Sequence, residues 1–126
     1  MKFIQFNDPG RSQSDKESAA KKFTQSIAEK FLALFIPGTN PDFEKLYPLV
    51  KYWFVEIGED DLPYREIGFD EKDRPVVVGP WRENLGFWTD SDLDYDYFIN
   101  HFHATVINES AFEEQWERFE NPDVPR

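Results

Sequence analysis

Residues 89–98, TDSDLDYDYF, set aspartates at every second position, with Leu93 and Tyr95 threaded among Asp90, Asp92, Asp94 and Asp96. Carboxylates so spaced can coordinate a hard cation, share protons in catalysis, or form an acidic face. A calcium loop of the EF-hand type needs Asp or Asn at positions 1, 3 and 5, glycine at 6 for a sharp turn, and a bidentate Glu at 12. With Asp90 at position 1, Tyr95 falls at position 6 and His101 at position 12, so the turn and the closing ligand are both missing. In an extended chain the carboxylates would line one side about 6.5–7 Å apart, from a rise of about 3.3 Å per residue. In a loop running into a helix they would still crowd together. Burying such like charges side by side is prohibitive. The stretch therefore reads as a water-facing acidic surface, and Glu59-Asp60-Asp61 forms a second one.

Other chemistry finds less support. His101 and His103 would share a face if extended, but there is no HExxH motif and no third histidine. The chain has no cysteine, no G-x-S-x-G elbow and no glycine-rich phosphate loop. A carboxylate pair beside tryptophan, as glycoside hydrolases use, is a generic possibility in an acidic, aromatic chain. No catalytic residue, metal ligand or cofactor is assigned.

The elements that must position these residues are legible from patterning. Ser14 and Glu17 match a capping box, and Ala20, Phe23, Ile27, Phe31 and Leu34 form one apolar stripe, predicting a long helix over 15–35 that ends at Pro37-Gly38. Asp42 to Leu46 reads as a helical turn. Residues 49–58 read as a strand with large side chains on both faces, a central position. Residues 64–70, 75–79 and 85–89 read as further strands joined by polar turns. Tyr95–Phe102 reads as a short helix, Thr105–Ile107 as an edge segment, and 109–120 as a helix capped by Asn108 with Phe112, Trp116 and Phe119 buried. The expected fold is α+β: an antiparallel meander of about four strands, with the long N-terminal helix packed on it and a C-terminal helix, in a single domain of residues 1–126.

Charge bears on partners. The 126 residues carry a net charge of −11. Residues 1–50 hold 7 Lys/Arg and 6 Asp/Glu, and residues 51–126 hold 7 and 19. Such a balance opposes direct binding to nucleic acid or an anionic membrane and favours a basic protein partner or simple solubility. The apolar residues of MKFIQFND stop at Phe6, unlike a signal peptide, and the longest apolar run, Phe31 to Ile36, is far short of a bilayer span. With no cysteine, the expectation is a soluble cytoplasmic domain. Both acidic stretches stand either as a solvated surface or as a docking face for a Lys/Arg-rich partner, with Trp81, Trp88 and Tyr95 as candidate aromatic anchors. Trp81, in a proline-containing turn, is expected to be more exposed than Trp53 or Trp116.

The segment YREIGFDEKDRPVVVGPWRENLGFW (64–88), with His101-Phe102 and the final F-E-x-x-W helix from Phe112 to Trp116, resembles small acidic immunity proteins of bacterial polymorphic and contact-dependent toxin systems, over about residues 50–119. The resemblance implies a non-enzymatic cytoplasmic inhibitor that binds one cognate toxin domain, often a nuclease, and blocks its active site or substrate groove. It brings no catalytic residues. Two rival readings follow from the residues themselves: a small-molecule binder or carboxylate-based enzyme with an aromatic pocket lined by the 49–58 strand and Trp88, and an acidic adaptor protein.

Overall fold

The computed structural model describes residues 1–10 and 39–122. Five strands form one antiparallel sheet: β1 (Lys2–Asn7), β2 (Tyr52–Ile57), β3 (Pro63–Phe69), β4 (Pro75–Gly79) and β5 (Thr105–Ile107), in the spatial order β4-β3-β2-β1-β5. Two helices follow the first four strands in sequence, α1 (Tyr95–Phe102) and α2 (Glu109–Glu120), with β5 between them. The class is α+β, but the architecture corrects the four-stranded meander. Only β2, β3 and β4 follow one another as hairpins. The sheet then continues through the N-terminal segment, which is a strand between β2 and β5. The helix expected over 15–35 lies outside the described residues.

A second correction concerns residues 85–89. LGFWT alternates like a strand, yet it runs as a loop against the sheet, because its backbone N–H groups bond a side chain rather than a neighbouring strand. The 41–46 turn runs directly into a single 3-10 turn at Tyr47–Leu49.

Register assigns the two faces. Ile4 lies opposite Val55 and Phe6 opposite Trp53, while Val55 faces Glu66 and Glu66 faces Gly79. On this face Phe6 contacts Trp88 and Phe98 at centroid distances of 5.3 and 5.2 Å, and Trp53 stacks on Phe87 at 5.8 Å. The 85–89 loop and α1 therefore cover it. The Trp53 indole N–H also donates to the buried Asp8 carboxylate at 2.8 Å.

The opposite face carries Phe3, Phe54, Arg65 and Phe69, and α2 packs there through Phe112, 5.4 Å from Phe3. Arg65 bridges sheet and helix. It bonds Glu56 at 2.7 Å, pairs with Glu113, and lies over the rings of Phe112 and Trp116. A sheet apolar on both faces explains why β2 has large side chains at every position. Asn108 caps α2 by accepting from Ala111 N at 2.9 Å, as its side chain predicts.

Candidate acidic face

The two acidic stretches, separated by about thirty residues in sequence, meet at one end of the sheet. The β2–β3 connection is a tight turn in which Gly58 N donates to Leu62 O and Asp61 N to Gly58 O, with Asp61 in the left-handed region at φ 65°. Aspartate is among the few residues besides glycine that adopt that conformation readily. Asp60 Oδ1 accepts from Leu62 N at 3.1 Å. From the other side, Tyr95 N donates to Asp61 O at 2.9 Å. One backbone bond thus ties the 59–61 turn to the end of the aspartate ladder.

The ladder is a loop that becomes a helix. Ser91 hydroxyl donates to Trp88 O at 2.6 Å, Leu93 turns into the core, and Asp94 is the N-cap of α1, accepting from Tyr97 N at 2.9 Å. Asp96 follows in the first helical turn, where a negative charge suits the helix dipole. Asp90, Asp92, Asp94 and Asp96 are exposed, as are Glu59, Asp60 and Asp61. Lys2, on the neighbouring β1 end, reaches into this face: its ammonium lies 3.1 Å from Asp61 Oδ1 and 4.2 Å from the Tyr95 ring centroid. Both partners of that ion pair are about half exposed, so it adds little stability, at most about 1 kcal/mol.

The aromatic candidates divide. Tyr95 is half-buried, with its backbone bonded to Asp61 and Lys2 over its ring. Trp88 is 0% exposed, enclosed by Phe6, Trp53, Phe87, Phe98 and Phe102, so it is a core residue and cannot anchor a partner. Trp88 and the inner side of β2, the walls expected for an aromatic pocket, pack against these rings instead. Trp81 is half-buried, edge-on to Trp116 at 6.0 Å and to Phe119 at 5.4 Å. It is a clasp between the loop and α2, remote in sequence from the acidic turn, and Trp116 is itself only half-buried. An aromatic that patterning did not single out, Tyr64, is 44% exposed and packs on Gly58, where a Cβ would collide with its ring. It stands beside the 59–61 turn.

Behind the ladder lies a carboxylate that sequence reasoning missed. Glu66 is 0% exposed. Its Oε1 accepts from Trp88 N at 2.6 Å and Thr89 N at 2.9 Å, and its Oε2 accepts from Phe87 N at 2.8 Å. Burial pushes its carboxyl up to about 7, against the downward pull of these three amides. The same loop is fastened from the other side by Asn40, whose amide exchanges two bonds with Gly86, and by Asn84, which exchanges two with Asp42. Only alternation could have signalled Glu66, and alternation places it beside Tyr64 and Asp70 as an ordinary polar position.

The histidines do not converge. His101 is half-buried against Tyr97, with ring centroids 4.2 Å apart, whereas His103 is the exposed left-handed C-cap of α1. Among the described residues no group of three His, Asp or Glu is placed to hold a metal ion. Calcium at millimolar concentration is therefore expected to leave the melting temperature within about a degree of a control at matched ionic strength. A specific site would raise it by mass action, and a calcium-dependent rise of several degrees would reject the acidic-face reading of the ladder.

No helix among the described residues is long and apolar enough to cross a membrane. In comparison with known proteins, the chain matches no protein-family model, no curated protein and no solved structure.

Proposed function

We propose that this chain is a non-catalytic, cytoplasmic protein-binding inhibitor, an immunity protein that neutralises a cognate bacterial toxin by laying its acidic face on a basic surface of that toxin. The supporting observation is the junction of the two acidic stretches through the Tyr95–Asp61 backbone bond. It brings the Glu59-Asp60-Asp61 turn against the start of α1, where Asp94, Tyr95 and Asp96 follow one another, and Lys2 pairs with Asp61 there. The resemblance of residues 50–119 to immunity proteins gives the partner class. A nuclease groove built to hold phosphates is a natural target, since carboxylates can occupy the phosphate positions.

The test is the association rate with the basic protein that co-purifies with the tagged chain, measured for wild type and for the double variant Asp92→Asn/Asp94→Asn. Asparagine preserves volume and the α1 cap, so folding stability should change by less than about 1 kcal/mol. Removing two charges should slow association about threefold or more at low salt. The difference should vanish as the Debye length falls from about 10 Å at 0.1 M to about 3 Å at 1 M. Equal low-salt rates for the two proteins would reject the ladder as a docking face.

A further inference from the structure

The geometry around Glu66 points to a proton sensor built into the fold: we propose that the protonation state of this side chain sets how tightly the 87–89 segment is fastened to the sheet. This goes beyond the docking reading and holds for the chain without a partner.

The carboxyl is sealed on every side. Val55 of β2 and Gly79 of β4 are its register neighbours, and neither titrates. Gly79 and Gly86 lie so close to each other and to Glu66 that a Cβ on Gly79 would come within 2.6 Å of the Gly86 Cα and 3.1 Å of the Glu66 carboxyl carbon. α1 backs the segment through Phe98 and Phe102 against Trp88. The titratable group that feels Glu66 is the Tyr47 phenol of the 3-10 turn, and Glu44 before it and Asp90 after the loop act on the same phenol. Burial pushes the Tyr47 phenol up, and Glu66, Glu44 and Asp90 add to that rise. These groups are neutral or negative at neutral pH. Among the described residues no cation pairs with Glu66.

An ionised Glu66 therefore holds its charge with three amides, fully buried and, among the described residues, without a counter-ion. Lifting the 87–89 segment lets water reach it, which favours the charged form. A protonated Glu66 keeps the closed arrangement. Oε1 already carries two of the three amide bonds, so the proton fits on Oε2, which retains a lone pair for Phe87 N. Because the closed-state value, about 7, lies above the ordinary 4.5, the closed state binds the proton more tightly than an open one. Closure is thus strongest in acid, weakens as pH rises through about 7, and levels off above it. The same sign applies to global unfolding, which also exposes Glu66.

The experiment is NMR on the intact chain from pH 5.5 to 8.5, a range that stays clear of the isoelectric point near 4.5. The Glu66 carboxyl carbon should titrate with a midpoint near 7. Hydrogen-exchange protection of the Phe87, Trp88 and Thr89 amides, corrected for intrinsic base catalysis, should fall about thirtyfold across this range. In Glu66→Gln that pH dependence should disappear. If this variant does not fold, the wild-type titration and exchange decide alone. A Glu66 carbon that titrates at or below the ordinary carboxylate range, held ionised by its amides, overturns the proposal. So does a midpoint near 7 with protection of the three amides flat in pH. Neither result bears on the docking face, whose test is an association rate with a partner.

Discussion

Trp88→Ala is expected to cost about 3–5 kcal/mol of folding stability, the range for deleting a buried aromatic ring. The indole is 0% exposed and touches rings from three directions: Phe6 of β1 at 5.3 Å, Trp53 of β2 at 5.9 Å, and Phe98 and Phe102 of α1 at 5.7 and 5.4 Å. β1 and β2 are fixed in register by their backbone ladder and cannot close over the space. A domain of this size is stable by only about 5–15 kcal/mol, so the variant should be marginal at 37 °C. Trp81→Ala is the comparator. Its ring meets Trp116, Phe119 and the Arg82 guanidinium and is half-buried, so about 1–2 kcal/mol is expected from the smaller area returned to water. Urea denaturation of the two variants checks the order. Equal losses, or a Trp88 loss below about 1 kcal/mol, would contradict the packing at the centre of this core.

What patterning reveals here depends on whether the deciding interaction is local. The α2 boundaries were readable because Asn108 caps its own helix and Phe112, Trp116 and Phe119 recur at helical spacing. β4 was readable because Pro75 and Gly79 punctuate three valines. β1 was not recognised: KFIQFN becomes a strand by pairing with residues 52–57, some fifty positions away, and with β5 at 105–107. LGFWT misled for the converse reason. Its alternation suits a strand, but Glu66, twenty-odd residues earlier, bonds its amides, and no local signal distinguishes a buried glutamate from an exposed one.

The candidate site follows the same division. The aspartate ladder and the Glu59-Asp60-Asp61 turn are evident as composition. Their meeting through Tyr95 and Asp61, and the presence of Lys2 between them, are products of tertiary structure. Trp88, two residues before the ladder, reads from sequence alone as a candidate anchor or pocket wall. In the fold, the chain reverses at Ser91, leaving Trp88 inside and Asp90 outside.

Gly86→Ala is expected to be as damaging as loss of the tryptophan, although it adds a single methyl group. Gly86 has φ of +99°, a conformation that side-chain-bearing residues reach only with strain of about 1–3 kcal/mol. Its added Cβ would overlap Thr89 Oγ1 and lie 3.1 Å from Glu66 Oε1. Neither neighbour can yield cheaply. Thr89 donates its hydroxyl to Leu85 O at 2.8 Å and its amide to Glu66, and Glu66 is fixed by two further amides. Shifting Gly86 instead breaks its paired bonds with Asn40, at 2.7 and 3.1 Å, leaving buried polar groups that cost about 1–3 kcal/mol each. Every route of relief therefore disturbs the same nest, and a loss of about 3 kcal/mol or more follows. The neighbouring Leu85→Ala serves as control. That side chain is 52% exposed, and its removal should cost less than about 1 kcal/mol. Urea denaturation reports the totals, and the near-ultraviolet dichroism of the buried tryptophans reports whether the loop has lifted from Trp53 and Trp88. A Gly86→Ala variant within about 1 kcal/mol of wild type, with its tryptophan signal intact, would mean that the 85–89 loop has room to relax and that Glu66 does not fix its path.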